Sequence, residues 1–220
     1  MRSAKARIGE ILEILYRDYS QSHTDLKFEK PLQIMVATIL SAQCTDKRVN
    51  QITPSLFRKY QTPADFASAE QKELEEEIRS TGFFRNKAKN IINASKKIVE
   101  DFKGKVPDEM EDLITLPGVA RKTANIVLSS AFKKAQGIAV DTHVSRLSQR
   151  LGLSMEKDPN KIERDLMRLV PREDWIDFNY MLVNHGRKIC PARKPLCPQC
   201  ELKHLCPSAK DFYTESDINL

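Results

Sequence analysis

Four cysteines near the C-terminal end of the chain have the spacing of metal or cluster ligands. Cys190, Cys197, Cys200 and Cys206 form a C-x6-C-x2-C-x5-C run that several prolines interrupt. Four thiolates in a segment too short to build its own core are what a metal or cluster site requires. Tetrahedral sulfur coordination suits zinc and iron–sulfur clusters alike, so the spacing leaves both open. Cys44 stands apart among apolar residues and is predicted to be a buried small hydrophobe.

A second group of residues combines a tight turn with the start of a helix. Leu116-Pro117-Gly118-Val119 predicts a turn, and the helical pattern resumes at Ala120. A glycine in the turn lets a phosphate approach the main chain, and the amides at the helix start supply donors and a positive dipole. Such a hairpin grips a nucleic-acid backbone without reading its bases. The alternative is a plain helix–turn–helix corner.

Two residues beyond the turn could carry chemistry. Lys122 lies in the first turn of the helix beside Arg121, and both the dipole and this cation disfavour its charged form. We therefore expect a lysine that can act as a nucleophile, although lysines are mostly solvated surface residues. Asp141 is the only acid between the hairpin and Arg150. We expect it to remain ionised and to cap the helix that follows it.

The elements that must position these residues are helices. Apolar residues recur with helical spacing in almost every segment, and no long alternating pattern indicates a strand, so the predicted fold class is all-α. The polar segment Lys133–Gly137 is the best candidate for a crossing between two lobes. Helices or helix starts are predicted at Met1–Ser20, Pro31, Thr62-Pro63, the capping box Ser68-x-x-Gln71, Asn86–Phe102, Asp108–Ile114, Ala120–Phe132, Asp141 and Asp158-Pro159.

Composition narrows the class of protein. The 220 residues carry a net charge of +6 with a pI near 9.0, which modestly favours a polyanionic partner. No apolar run reaches the roughly 18 residues of a membrane span, and the N-terminal segment lacks the apolar stretch of a secretion signal. We therefore expect a cytoplasmic protein without membrane contact. In that reducing compartment its cysteines would be free or metal-bound.

The ordered set of motifs resembles the endonuclease III family of the helix-hairpin-helix DNA glycosylase superfamily. The resemblance implies a six-helix domain over residues 23–134 that contains the hairpin, and an iron–sulfur domain formed by residues 1–22 and 135–220, with a DNA-binding cleft between them. It also implies that the cysteines hold a [4Fe–4S] cluster. The motifs that carry the resemblance are Leu40–Asp46, Gly82–Ala88, Leu116–Ala124, Ala139–His143 and the four-cysteine tail.

The activity implied by this resemblance is that of a bifunctional DNA glycosylase and abasic-site lyase of base excision repair. Members of the family remove oxidised or damaged pyrimidines from duplex DNA and cut the strand 3′ to the lesion by β-elimination. Lys122 matches the family's Schiff-base nucleophile. Asp141 matches the carboxylate that stabilises positive charge on the sugar. The expected partner is double-stranded DNA with damaged pyrimidines or abasic sites, bound by a monomer associated with the nucleoid.

Several DNA contacts are implied in the same way. Gln43 matches a residue that fills the gap left by a flipped nucleotide, and Phe83 stands where some relatives carry an aliphatic wedge. Ala120 replaces a second hairpin glycine and would be strained if the backbone there required a positive φ. The implied contacts are Gln43, Phe83, Gly118, Ala120, Arg121, Thr123, Arg193 and Lys194, the last two from the first loop of the cluster.

Two other functions fit parts of the pattern. A mismatch glycosylase that uses water as nucleophile belongs to the same superfamily, but enzymes of that kind typically lack the hairpin lysine. A non-catalytic DNA clamp or redox sensor would use the hairpin and the cluster alone. Such a clamp would need neither Lys122 nor Asp141, so the presence of both favours the bifunctional enzyme.

Overall fold

The computed structural model describes residues 2–212, and within this range every regular element is helical. The chain divides into two compact units. The middle unit is the continuous segment Thr24–Gln136, and the terminal unit combines the N-terminal segment through His23 with the chain from Gly137 onward. Both limits lie slightly later in the chain than the sequence suggested. The second limit falls inside the polar segment Lys133–Gly137.

The described part of the chain contains eleven α-helices, joined by turns and short 3-10 segments. A π-helical turn, Leu128–Phe132, extends the eighth helix. In chain order the helices are α1 (Ala4–Tyr19), α2 (Pro31–Leu40), α3 (Asp46–Lys59), α4 (Pro63–Ala67), α5 (Gln71–Ile78), α6 (Phe84–Asp101), α7 (Met110–Leu113), α8 (Arg121–Val127), α9 (Thr142–Arg150), α10 (Pro159–Leu169) and α11 (Trp175–Lys188).

The core of the middle unit forms around α2. This helix is apolar on almost every side and is buried from Ile34 to Leu40, as expected of a helix enclosed by others. Helices α3, α6 and α8 pack against it. Pro31 occupies its first turn, where the missing amide of a proline is not needed for a helical hydrogen bond. The start predicted there is confirmed.

Three predicted helix limits in the middle unit were wrong. Ser68 does not begin a helix but ends α4, and the Glu70 carboxylate caps α5 by accepting from the Glu73 amide at 2.7 Å. Helix α6 begins at Phe84 rather than Asn86. Helix α7 has only four residues, fewer than predicted. Ser68 already ends α4, so it cannot also begin α5. The next side chain with an acceptor oxygen, that of Glu70, caps α5 instead.

The terminal unit has its own core. Helix α1 packs against α10 and α11, and α9 packs against α10 and α11. The helix starts predicted at Asp141 and Asp158 are confirmed, since each carboxylate accepts hydrogen bonds from amides in the first turn of its helix. None of the helices described in residues 2–212 is both long enough and apolar enough to cross a membrane.

Candidate functional site

The hairpin between α7 and α8 requires a glycine for two independent reasons. Gly118 has φ +79°, a conformation that L side chains rarely adopt. A Cβ atom placed there would lie 2.8 Å from the Cβ of Asn90 in α6, so the turn also rests directly on a neighbouring helix. The Val119 amide donates to the Leu116 carbonyl at 3.0 Å and closes the turn. The predicted turn at Pro117-Gly118 is confirmed.

Ala120 fits the hairpin without strain. Its φ of −84° and ψ of 170° are extended values that any residue adopts, so the replacement of a second glycine has no conformational consequence here. Ala120 is the N-cap of α8 and has no side-chain acceptor for the amides of the first turn. Alanine thus contributes only its main chain to the start of this helix.

Lys122 is the second residue of α8 and its side chain is exposed. Its neighbours Arg121 and Thr123 are half-buried, and Ala124 is buried in the core of the middle unit. The helix is thus anchored by its inner face while Lys122 extends into solvent. This is the placement that a nucleophile toward a macromolecular substrate requires.

Asp141 of the terminal unit is half-buried and rigidly held. Its Oδ1 accepts from the amides of His143 and Val144, each at 2.8 Å. Both of these hydrogen bonds end on Oδ1, so capping does not require Oδ2. The predicted cap is therefore confirmed, and it is compatible with a second role for the same carboxylate.

Gln43 and Phe83 share an unusual backbone conformation. Each has a positive φ, +53° for Gln43 and +48° for Phe83, which is uncommon for residues other than glycine. Both side chains are exposed, and Phe83 presents 62% of its surface to solvent. Strained backbone of this kind clusters at functional sites. Three exposed lysines, Lys103, Lys133 and Lys194, also have a positive φ, and Lys194, with φ +50°, lies in the first loop of the cysteine cluster.

The four tail cysteines surround one cavity of the terminal unit. Each of them lines it, together with apolar residues such as Leu147. No three His, Cys, Asp or Glu side chains within residues 2–212 are arranged to hold a single metal ion. Four sulfurs around a shared cavity are a donor set that suits a metal ion or an iron–sulfur cluster. The cysteines are Cys190, Cys197, Cys200 and Cys206.

Burial disfavours the thiolate form of three of these cysteines. Burial raises the pKa of Cys200 to about 12 and also raises the pKa values of Cys197 and Cys206. Thiolates in such a place need compensation by a metal, which deprotonates a coordinating thiol outright. His185, buried in the same cavity wall, has its Nε2 3.5 Å from the Cys200 Sγ and its Nδ1 3.1 Å from the Tyr19 hydroxyl.

Arg150 of α9 organises the loop between the first two cysteines. Its guanidinium donates to the carbonyls of Pro191 and Ala192, at 2.8 and 2.9 Å, and to the Cys190 Sγ at 3.1 Å. Arg193, the next residue of this loop, is exposed, as is Lys194. The loop is therefore fixed by its main chain, whereas its two cations remain directed to solvent.

The sequence predicted His185 to be a packed, hydrogen-bonded histidine, and it is buried with Nδ1 3.1 Å from the Tyr19 hydroxyl. It indicated no role for Arg150 or Lys87. Lys87 is only 4% exposed, although it is a lysine. One signal was available, because Lys87 occupies the apolar stripe of α6 one turn before Ile91. A charged residue at a core position requires a specific partner. Cys44, predicted to be a buried small hydrophobe, packs against the middle core but is only half-buried.

Comparison with known proteins places the chain in a family. Residues 36–172 match the model of the HhH-GPD superfamily of base excision DNA repair proteins. Endonuclease III of Synechocystis sp. is 58% identical over 210 residues, which cover 96% of each chain.

Solved structures agree with this match. The chain resembles endonuclease III in a non-covalent complex with DNA, with 40% identity, a TM-score of 0.90 and coverage of 96% of this chain and 98% of that one. It is equally similar, at 40% identity and a TM-score of 0.90, to endonuclease III in a trapped covalent intermediate with DNA, and covers 99% of that chain. The chain thus belongs to the endonuclease III family of the HhH-GPD superfamily.

Proposed function

We propose that this protein is a bifunctional DNA glycosylase and abasic-site lyase of base excision repair that removes oxidised or damaged pyrimidines from duplex DNA. One observation carries the proposal: an exposed lysine follows the hairpin of a chain 40% identical to an endonuclease III that was trapped covalently on DNA. A lysine amine forms such an intermediate with a sugar aldehyde as a Schiff base. The enzyme would act in the cytoplasm, in association with the nucleoid.

Lys122 is the proposed nucleophile. Its neutral amine attacks C1′ of the damaged nucleotide, and the bond from C1′ to the base breaks as the base leaves with its electron pair and takes up a proton. Opening of the sugar gives an iminium ion between Nζ and C1′. Loss of a C2′ proton then expels the 3′ phosphate and cuts the strand, and water releases the lysine.

Asp141 is the proposed electrostatic partner. Positive charge develops on the sugar as the base leaves, and a fixed carboxylate lowers the energy of that state. The hydrogen bonds from His143 and Val144 to Oδ1 hold the carboxylate in place before the reaction begins. Such preorganisation avoids a reorientation during the reaction. Lys122 belongs to the middle unit and Asp141 to the terminal unit.

The proposed DNA contacts fall into two groups. The first group binds phosphates from the hairpin and from the cluster loop. In the hairpin it comprises Gly118, Ala120, Arg121 and Thr123, and in the cluster loop it comprises Arg193 and Lys194. Gln43 and Phe83 would instead occupy the gap left by an extruded nucleotide. Extrusion costs least where damage has already weakened pairing, which contributes to lesion selectivity. The exposure of both side chains and their backbone strain support this role.

We further propose that Cys190, Cys197, Cys200 and Cys206 bind a [4Fe–4S] cluster. The shared cavity and the buried thiols support it. When bound, the cluster supplies four iron–sulfur bonds that link segments of the terminal unit and hold the loop carrying Arg193. Its part in the reaction is structural, and the bond-breaking steps belong to Lys122 and Asp141.

A single set of incubations tests the activity. The purified protein is mixed with duplexes that contain an abasic site, thymine glycol, a uracil mismatch or an adenine mismatch, each with and without borohydride. We expect base removal and strand cleavage on thymine glycol, cleavage at the abasic site, and a covalent adduct after reduction. Base removal from a mismatch without an adduct would instead indicate a mismatch glycosylase. Binding without cleavage of any duplex would indicate a DNA clamp.

A further inference from the structure

A buried lysine connects the two loops that carry Gln43 and Phe83. The Lys87 side chain extends from α6, and its Nζ donates to the Leu40 carbonyl and to the Thr81 carbonyl, each at 2.8 Å. Leu40 is the last residue of α2, shortly before Gln43, and Thr81 ends the 3-10 segment shortly before Phe83. One ammonium group therefore binds the ends of two helical segments far apart in the chain.

Electrostatics favours this arrangement. The carbonyls at a helix end carry partial negative charge, and a lysine near the end can hydrogen-bond them. Burial lowers the pKa of Lys87, while the nearby Cys44 thiol has the opposite, smaller effect. A buried ammonium is unfavourable unless its partners are well placed, so this group should tolerate little movement of either carbonyl.

Both loops need such support. Gln43 and Phe83 have positive φ values, and residues in that region of conformational space persist only where the surroundings hold them. Their side chains project into solvent and so receive little packing of their own. Each residue is flanked by a main-chain hydrogen bond, from the Cys44 amide to the Ser41 carbonyl and from the Lys87 amide to the Phe83 carbonyl. The two carbonyls that the Lys87 Nζ binds lie just before these segments, at the preceding helix ends.

We propose that Lys87 is a positioning residue that sets the two gap-filling loops against each other, so that Gln43 and Phe83 enter the DNA stack in register. The proposal rests on the proposed function. Lys87 would touch neither the reacting sugar nor the base, and its contribution lies in the geometry of the loops alone. Lys87 should therefore be needed for activity on duplex DNA, where a gap in the base stack must be filled. It should not be needed for activity on DNA that has no such gap.

The experiment compares Lys87→Met with Lys96→Met. Both variants lose a cation from α6, but Lys96 is exposed and lies more than two turns further along the helix. Each is assayed on a thymine-glycol duplex and on a single-stranded oligonucleotide with an abasic site, which has no opposite strand and no gap. We expect Lys87→Met to lose about 10- to 100-fold on the duplex, as small misplacements do, and to match the wild type on the single strand. Lys96→Met should match the wild type on both.

The ratio of duplex to single-strand activity decides the question even if some Lys87→Met protein is unfolded, because both assays use the same folded fraction. Equal losses on both substrates, or an undiminished duplex rate, would overturn the positioning role. Combining Lys87→Met with Gln43→Ala and Phe83→Ala gives a second measure. If Lys87 acts through these loops, it should add little to the loss caused by the two alanines, whereas fully additive losses would contradict the proposal.

A measurement without DNA separates this inference from the proposed function. Hydrogen exchange of the loop amides around Gln43 and Phe83 should quicken in both loops of Lys87→Met and in neither loop of Lys96→Met. Unchanged exchange in the Lys87 variant would refute the inference whatever the enzyme does. Wild-type protein that cuts no damaged DNA would refute the proposed function, while this exchange result could still hold.

Discussion

At the scale of single residues, Lys122 and Asp141 differ in how firmly the fold holds them. Lys122 is exposed at the start of a short helix, whereas Asp141 is half-buried and bound by two amides. A nucleophile that must reach a sugar and then be released benefits from conformational freedom. A carboxylate that stabilises charge benefits from being fixed before the charge develops.

Replacing Lys122 by glutamine should abolish strand cleavage and borohydride trapping, because the amide is not a nucleophile at a sugar carbon. DNA affinity should fall by less than about tenfold, since only one of many cationic contacts is lost. Trapping gels and binding titrations at fixed salt measure both. Lys133→Gln, at an exposed lysine beyond the same helical segment, is the matched control and should retain activity. Lyase activity that survives Lys122→Gln would contradict the assignment.

Asp141→Asn should slow base removal by about 10²- to 10³-fold, the usual effect of losing one preorganised electrostatic group. Asparagine is as good an N-cap as aspartate, so the free energy of unfolding should change by less than about 0.5 kcal/mol. Asp141→Ala should lose the cap too, costing about 1 kcal/mol more. Single-turnover kinetics and urea unfolding distinguish the effects. A normal rate of base removal in Asp141→Asn would show that Asp141 caps the helix and has no role in catalysis.

At the scale of elements, the hairpin depends on its fit to α6. Gly118→Ala introduces a methyl group close to Asn90 in addition to the strain of a positive φ. Gly104 provides a matched control, because it has φ +73° but no atom within 4 Å of the position that a methyl group would take. Each alanine should cost roughly 1–2 kcal/mol through strain. The variant at Gly118 should cost more and should also weaken DNA binding.

Urea unfolding and DNA titration of the two glycine variants measure these differences. Equal destabilisation would mean that the turn rearranges and that its contact with Asn90 has no energetic weight. Equal DNA affinities would argue against phosphate binding by the hairpin main chain. The comparison therefore tests the packing of the element and its proposed use together.

At the scale of the whole molecule, each of the two units has its own core, and the two depend on different interactions for their stability. The middle unit encloses α2 in apolar helices, whereas the cysteine tail of the terminal unit is a series of 3-10 turns around a cavity. Bonds to a metal cluster contribute directly to the stability of such a segment. Loss of the proposed cluster should therefore affect the terminal unit first.

Cys197→Ser should remove the brown iron–sulfur absorbance and destabilise the terminal unit, with Cys44→Ser as the control that keeps both. The one tryptophan, Trp175, begins α11 of the terminal unit and donates to the Val170 carbonyl, so its fluorescence reports on this unit. We expect its unfolding transition to move to lower urea in Cys197→Ser. A colourless wild-type protein with full activity would exclude the cluster and point to zinc or no metal.

The sequence alone determined the class of fold, most helix starts, the hairpin turn and the set of four cysteines. These follow from local rules: capping by Asp141 and Asp158, a proline at the start of α2, a glycine in the turn, and helical spacing of apolar residues. Where two local rules competed, as at Ser68 and Glu70, the prediction was wrong because the preceding helix had already used the first signal.

Only the tertiary structure revealed the roles of Lys87, Arg150 and Asn90. Lys87 joins carbonyls of two separate segments, Arg150 holds a loop some forty residues later in the chain, and Asn90 meets Gly118 from another helix. Each role depends on a distance between residues remote in sequence, which no spacing pattern encodes. Side-chain chemistry and local backbone preference can be read along the chain, but the partner that a buried polar group finds is set by packing.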